Sequence, residues 1–380
     1  MVKREIWASI VESLWKKKPV IWLAGIRRAG KTSLCKSLPN IDYYDCELPS
    51  IRRSLADPER FLADHDGKRL VLDEVHRLDN PSEILKIAAD HFPRTRIIAT
   101  GSSILGASAK FKDTLAGRKA ELWLTPMLMG ELASFGNANL DHRMLRGGLP
   151  PFFLNAEIPE GDYQEWMDAY WAKDIQELFR LERRHSFQKF TELLLTQSGG
   201  MFEATRFAKP CEVSRQTISN YLSVLEATFV MHVIRPFSKH KATEIVSAPK
   251  VYAFDTGFMA YYRGWKELRP EDRGILWEHI VLNEIQGRLQ RRDIQYWRDK
   301  AHHEVDFVIT GRGKDPIAIE CKWAADRFEA QGIGAFRKLH PKGKNFLVAQ
   351  DVKEPYEREA GGNRIRFVGL DDLIKELGTS

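Results

Sequence analysis

Val20-Ile21-Trp22-Leu23-Ala24 runs straight into Gly25-Ile26-Arg27-Arg28-Ala29-Gly30-Lys31-Thr32, and this stretch decides the fold. An apolar, strand-like run ends in the pattern G-x-x-x-x-G-K-[ST], in which each fixed position has a chemical task. The two glycines let the backbone curl until its N–H groups converge on phosphate oxygens. Lys31 brings a point charge to the outer phosphates, and the Thr32 hydroxyl is a ligand for Mg²⁺. Ser33-Leu34-Cys35-Lys36-Ser37-Leu38 continues as a helix, whose positive N-terminal end adds to the anion site. Gly25, Arg28, Ala29, Gly30, Lys31, Thr32 and Ser33 are therefore the candidate nucleotide-binding residues of this loop.

A second stretch completes the chemistry. Lys68-Arg69-Leu70-Val71-Leu72-Asp73-Glu74 is an apolar strand that ends in two carboxylates. An acid at such a strand end holds Mg²⁺ through water, the task expected of Asp73. The neighbouring acid orients and activates the attacking water, so Glu74 is the candidate general base. Arg96-Ile97-Ile98-Ala99-Thr100-Gly101-Ser102-Ser103 is a further buried strand ending in hydroxyls, with Thr100 and Ser102 the candidates for sensing the terminal phosphate. Arg118, in the loop after Leu115, is a candidate arginine finger, acting within the chain or across a subunit boundary.

Strand patterns recur near 20–24, 41–45, 69–72, 96–100 and 120–124, separated by helical patterns. That alternation predicts a parallel sheet flanked by helices, with the nucleotide site at its carboxyl edge. Gly147-Gly148-Leu149-Pro150-Pro151 is a break, and Asp162–Arg184 reads as helix rich in aromatics, a lid or linking helix pair.

Composition agrees with a multidomain globular chain. Its 380 residues are 43% hydrophobic and 29% charged. Cys35, Cys46, Cys211 and Cys321 lie far apart without C-x-x-C spacing, which argues against zinc and a disulfide framework and suits a cytoplasmic location. The N-terminal segment reads as an amphipathic helix rather than a signal peptide, and no apolar run approaches the ~18 residues that suggest a membrane span. A net charge of +6 permits polyanion binding without establishing it.

From about Ala204 the pattern changes. Cys211-Glu212-Val213-Ser214-Arg215-Gln216-Thr217-Ile218-Ser219-Asn220-Tyr221-Leu222 has the cadence of a helix-turn-helix, with Ser214 as N-cap. Ile218, Tyr221, Leu222 and Leu225 form one apolar face. Arg215, Gln216, Ser219 and Asn220 lie opposite and suit base edges and phosphates. Two strands are expected at 228–234 and 250–254, with Lys239 and Lys241 at the tip of a wing between them. Between 204 and 250, Arg206, Lys209, Arg215, Arg235, Lys239, Lys241 and Lys250 face only Glu212, Glu226 and Glu244. That local excess supports contact with a DNA backbone.

Further on, a helix over 275–292 is followed by strand patterns at Ile294–Arg298, Glu304–Ile309 and Ile317–Lys322, then a helix and the strand Phe346–Ala349. Helix, three strands, helix, strand, with D…E-x-K at strand ends, is the order found in restriction-endonuclease-like nucleases. Residues two apart on a strand share a face, so Glu320 and Lys322 project together. Asp306 and Glu320 are expected to share Mg²⁺, Lys322 to position or activate water, and Glu278 to complete the metal shell.

On Gly25–Thr32, Leu70–Glu74, Thr100–Ser103, Leu115–Arg118, Gly147–Pro150, Val213–Glu226, Lys250–Gly257, Trp277–Glu284, Glu304–Phe307 and Ile319–Lys322, the chain resembles a family of bacterial and archaeal AAA-type ATPases. The resemblance implies an ATPase domain over 1–145, a helical lid or linker over 146–195, a winged helix-turn-helix over 196–254 and a restriction-endonuclease-like domain over 255–380. Lys209-Pro210-Cys211 departs from the family, standing where a turn of small residues is more usual. The expectation is a Mg²⁺-dependent ATP hydrolase, with a homo-oligomer as the assembly that Arg118 suggests, that binds duplex or branched DNA and couples turnover to assembly or remodelling on it. An ATP-regulated nuclease and a nucleotide-dependent switch that binds protein partners are the competing readings.

Overall fold

The computed structural model describes every residue except 1, 102–108, 156, 158–159, 177–178, 180, 182, 239–247 and 380. The chain divides into two compact units. The first comprises Met1–Asn139, Gly148–Glu182 and Ala227–Phe229; the second comprises Leu140–Gly147, Arg183–Glu226 and Val230–Ser380.

The first unit is a parallel sheet wrapped by helices. Its strands are β1 (Val20–Gly25), β2 (Asp42–Asp45), β3 (Arg69–Asp73), β4 (Arg96–Thr100) and β5 (Lys119–Leu124), in the spatial order β2-β3-β4-β1-β5. Every neighbouring pair is parallel. Parallel strands are covered on both faces, which is why β1, β3 and β4 read as continuous apolar runs rather than alternating ones. Among the described residues of this stretch, the α-helices that accompany the strands are α1 (Glu5–Trp15), α2 (Lys31–Ser37), α3 (Pro49–Ser54), α4 (Pro58–Asp64), α5 (Pro81–His91) and α6 (Ala109–Thr114). Leu62, Leu85 and Ala88 pack beneath Leu70, Leu72 and Ile97 in one continuous core.

The aromatic stretch after residue 160 departs from a regular helix. It is α-helical over Glu160–Tyr170 (α7) and then π-helical over Trp171–Gln176. Trp166 and Tyr170 stack at 5.2 Å, and the Tyr170 hydroxyl meets Thr228 Oγ1 at 2.6 Å. A wider turn of this kind re-aims the side chains it carries, here Lys173 and Asp174.

The second unit is built on one nine-stranded mixed sheet. Helix α8 (Arg184–Thr196), strand β6 (Gly200–Met201), helices α9 (Ala204–Ala208) and α10 (Arg215–Ala227), and strands β7 (Met231–Pro236) and β8 (Lys250–Ala253) come first. The expected strand at 228 begins only at Met231, because Phe229 turns the chain with φ +65°. Helices α11 (Thr256–Tyr262) and α12 (Asp272–Leu289) lead into β9 (Ile294–Arg298), β10 (Glu304–Ile309) and β11 (Ile317–Lys322). Helix α13 (Gln331–Leu339), β12 (Asn345–Ala349), β13 (Tyr356–Ala360), β14 (Asn363–Val368) and α14 (Leu370–Gly378) complete the unit. The sheet order is β13-β14-β12-β11-β10-β9-β7-β8-β6. Its seam is a parallel pairing of β7 with β9, Arg235 opposite Gln295 and Pro236 opposite Tyr296. Among the described residues no helix is long and apolar enough to cross a membrane.

Candidate active site

The loop after β1 forms because its glycines accept backbone angles that other residues resist. Gly30 has φ +95°, and a side chain at Gly25 would run into Leu124 on β5. The Lys31 ammonium folds over this loop and donates to the carbonyls of Gly25 (2.9 Å) and Ile26 (3.1 Å). Burial lowers its pKa from the ordinary lysine value, while Glu74 and Asp174 pull the other way.

Asp73, at the tip of β3, is the hub of the site. Thr32 Oγ1 donates to its Oδ2 at 3.1 Å, and the Tyr43 hydroxyl donates to the same oxygen. Thr100 Oγ1 donates to the other carboxylate oxygen and accepts the Glu74 N–H at 3.1 Å. Register explains the convergence. Tyr43 on β2 stands opposite Val71, two residues before Asp73 and so on the same face, and Thr100 follows Ala99, the partner of Leu72. A hydroxyl and a carboxylate 3.1 Å apart at the end of the phosphate loop offer the hard oxygen ligands that Mg²⁺ requires, so these residues fit that ion.

Glu74 turns away from the strand in the left-handed region, φ +55°, and its Oε2 lies 3.1 Å from His76 Nδ1. Burial pushes this carboxyl up, but the His76 hydrogen bond and the charges of His76, Lys31 and Arg27 outweigh it. The net effect holds it below the ordinary glutamate value. The carboxylate beside the phosphate loop is thereby held in the ionised form, the one that can accept a proton.

Side chains from other parts of the chain brace the loop, most of them not singled out by sequence reading. Arg4, 3% exposed, donates from Nη1 to the Ala29 carbonyl at 2.7 Å. Its Nε and Nη2 reach both oxygens of Glu131 at 2.6 and 2.9 Å. The same carboxylate accepts the Trp7 indole N–H and the Leu128 N–H. Arg27 is paired with Asp174 at 2.7 Å and Arg28 with Glu165 at 2.5 Å, while the Trp166 indole donates to the Arg27 carbonyl. The loop borders a cavity of about 640 Å³, lined by Gly25, Lys31, Thr32, Ser33, Glu74, His76 and Lys173 at its polar side and by Phe135, Pro150, Pro151 and Leu154 at its apolar side.

One expected residue stands elsewhere. Arg118 is not part of the cavity wall; its Nε donates to Asp90 Oδ1 at 2.7 Å. Ser102 lies outside the described residues, as do Lys239 and Lys241.

In the second unit, Ser214 Oγ accepts the Thr217 N–H at 3.1 Å and starts α10. Ile218, Tyr221, Leu222 and Leu225 are buried. Arg215, Gln216 and Asn220 are exposed and Ser219 is half-buried on the opposite side. Asp306 from β10 acts on the ionisation of Glu278 from α12 and of Glu320 and Lys322 from β11. Burial, then Asp306, pushes Glu278 up to about 7, and the same causes push Glu320 up. Lys322 Nζ lies 3.5 Å from Glu320 Oε2, and Asp306 Oδ2 accepts the Cys321 N–H at 2.8 Å. Lys250 and Tyr252, from β8, also enter this cluster.

With this geometry in place, comparisons with known proteins locate the chain. Residues 137–269 match a domain of unknown function, DUF8612, and residues 273–368 match another, DUF4143. An uncharacterized protein of Mycobacterium tuberculosis is 27% identical over 335 residues, covering 85% of this chain and 74% of that protein. The structure of the Aeropyrum pernix ORC1 protein in complex with DNA aligns over 70% of this chain and 92% of its own at 13% identity, with a TM-score of 0.27. AMPPCP-bound DnaA from Aquifex aeolicus aligns over 68% of this chain and 92% of its own at 13% identity, with a TM-score of 0.29. Residues 17–133 match the family described as the AAA domain, and the parallel sheet and phosphate loop described above have the arrangement of a P-loop fold.

Proposed function

We propose that the protein is a Mg²⁺-dependent ATP hydrolase that binds duplex or branched DNA through its second unit and couples turnover to assembly or remodelling on that DNA. The observation that carries the reading is the convergence of Thr32 and Thr100 on Asp73, beside an ionised Glu74 and under Lys31. Lys31 and the loop N–H groups hold the phosphates, and the apolar wall of Phe135, Pro150, Pro151 and Leu154 gives a nucleobase a dry surface. Glu74 accepts the proton of the attacking water. Thr32 and Asp73 would hold Mg²⁺, which would neutralise charge on the phosphates.

The DNA half rests on α10 and on element order. Helix, strand, helix, helix, strand, strand, with β6 beside β8 and β8 beside β7, is the arrangement expected of a winged helix, and it leaves Arg215, Gln216 and Asn220 exposed. The order α12-β9-β10-β11-α13-β12 likewise favours a restriction-endonuclease-like domain, with cleavage at Glu278, Asp306, Glu320 and Lys322 as the competing activity. Arg118 as a finger supplied to a neighbouring copy belongs to the same proposal, and turnover per chain that rises with protein concentration would support it.

ATP turnover measured with and without duplex, forked and junction DNA tests the whole. Lys31→Ala should abolish nucleotide binding or turnover, and Glu74→Gln should bind ATP without hydrolysing it. Unchanged turnover in both variants removes the catalytic assignment. Absence of binding to any of these DNAs at low salt removes the DNA half.

A further inference from the structure

The acid cluster of the second unit contains a cation that its own sequence motif does not supply. Lys250 leaves β8 and places its ammonium 2.7 Å from Glu304 Oε1 and 3.8 Å from Glu278 Oε2. Tyr252, two residues on and so on the same face of the strand, donates its hydroxyl to Glu278 Oε2 at 2.9 Å. Lys250 is 5% exposed. A lysine so buried is retained only when paired, because removing an ammonium from water costs several kcal/mol in practice.

The remaining carboxylates are committed as well. Asp306 accepts a backbone N–H from Cys321, Glu320 faces Lys322, and the second oxygen of Glu304 lies 3.5 Å from Arg298. Among the described residues, no three His, Cys, Asp or Glu side chains are grouped so as to hold a metal ion. As the side chains stand, the residues expected to bind Mg²⁺ do not fit it. A divalent ion placed between Glu278 and Asp306 would face the Lys250 ammonium at close range in a poorly solvated site, where like charges repel strongly.

We infer that Lys250 is the resident cation of this cluster, taking the electrostatic place of a divalent metal and keeping the site metal-free and non-cleaving. The inference rests on the second unit alone and does not depend on ATP hydrolysis by the first. It also accounts for where Lys250 comes from. Strand β8 pairs with β7, and β7 with β9, so the sheet itself carries a lysine from the helix-turn-helix part of the chain to acids on α12 and β10.

Mn²⁺ binding, titrated on the full chain without nucleotide, tests it in four proteins: wild type, Glu320→Ala, Lys250→Met and the double variant. Any Mn²⁺ taken up at the phosphate loop is common to all four and cancels. Wild type and Glu320→Ala should bind the same amount, and neither should nick supercoiled plasmid through this cluster. Lys250→Met should take up one further ion per chain, and the double variant should lose it. Lys250→Gln, which keeps a hydrogen-bond donor at the position, serves as the second variant and should behave like Lys250→Met. The inference is overturned if Glu320→Ala lowers Mn²⁺ uptake or nicking in the otherwise wild-type chain, a comparison that stands even where the Lys250 variants do not fold. It is equally overturned if folded Lys250→Met and Lys250→Gln take up no more Mn²⁺ than wild type.

Discussion

Arg4 and Glu131, 127 positions apart, form a bidentate ion pair with both side chains almost wholly buried, and the third arm of the same guanidinium holds the Ala29 carbonyl of the phosphate loop. The pair therefore fastens the N-terminal segment to the backbone that receives the phosphates. Removing one member of a buried pair leaves an uncompensated charge, typically at a cost of about 3–5 kcal/mol. Arg4→Met should lower the unfolding midpoint markedly and weaken nucleotide binding together. Arg4→Lys should recover part of the stability but not the bidentate geometry. Denaturant melts with and without ATP check both; a melt like that of wild type for Arg4→Met would dismiss the bracing role.

Tyr43 is one of three hydroxyl donors on Asp73. Tyr43→Phe keeps the ring and removes only that donor. The Mg²⁺ concentration for half-maximal turnover should rise several-fold while affinity for metal-free ATP stays unchanged. A change in ATP affinity with no change in Mg²⁺ requirement would assign Tyr43 to packing instead.

Asp174 sits on the π-helical turn and neutralises Arg27 inside the cavity. Incoming phosphates and Asp174 compete for the same guanidinium. Asp174→Asn should tighten nucleotide binding, read by fluorescence titration, because it removes a negative charge from the phosphate side of the pocket. Weaker binding would mean that Asp174 holds Arg27 in its working position.

The pH dependence of turnover follows from Glu74. A carboxyl with a depressed pKa remains a base as pH falls through the ordinary glutamate range and loses that role only below its own lowered value. The His76 hydrogen bond is the chief cause that lowers it, against the upward push of burial. His76→Ala should therefore move the acid limb of the kcat/KM profile toward higher pH. An unmoved acid limb would show that another group sets it.

Arg215 is exposed on the polar side of α10. If it contacts a DNA phosphate, Arg215→Ala should weaken binding evenly across sequences and reduce the salt slope of log K by about 1. An unchanged slope would place Arg215 away from the DNA.

Much of the fold was legible because it is written locally. All five parallel strands lie within about a residue of the apolar runs that announce them, and Ser214 caps α10 as its position implies. Gly25, Lys31, Thr32, Asp73 and Glu74 were singled out as candidates because phosphate chemistry dictates their types and spacing. Arg4, Tyr43, Asp174 and Lys250 were not. Each acts through a partner reached only by folding, such as Lys250 with Glu304, 54 positions away, and no periodic pattern encodes such pairs. The π-helical turn was hidden for a related reason. A run of aromatics scores as regular helix until packing, here the Tyr170 contact with Thr228, sets its pitch.

The parallel seam of β7 and β9 joins the second unit's two groups of strands into one sheet. Helix α10 leads through a short turn into β7, and β7 is hydrogen-bonded to the strand beside β10, which bears Glu304 and Asp306. The strand that follows the helix and the strand that carries the acids are therefore separated by β9 alone, within one continuous ladder of backbone hydrogen bonds.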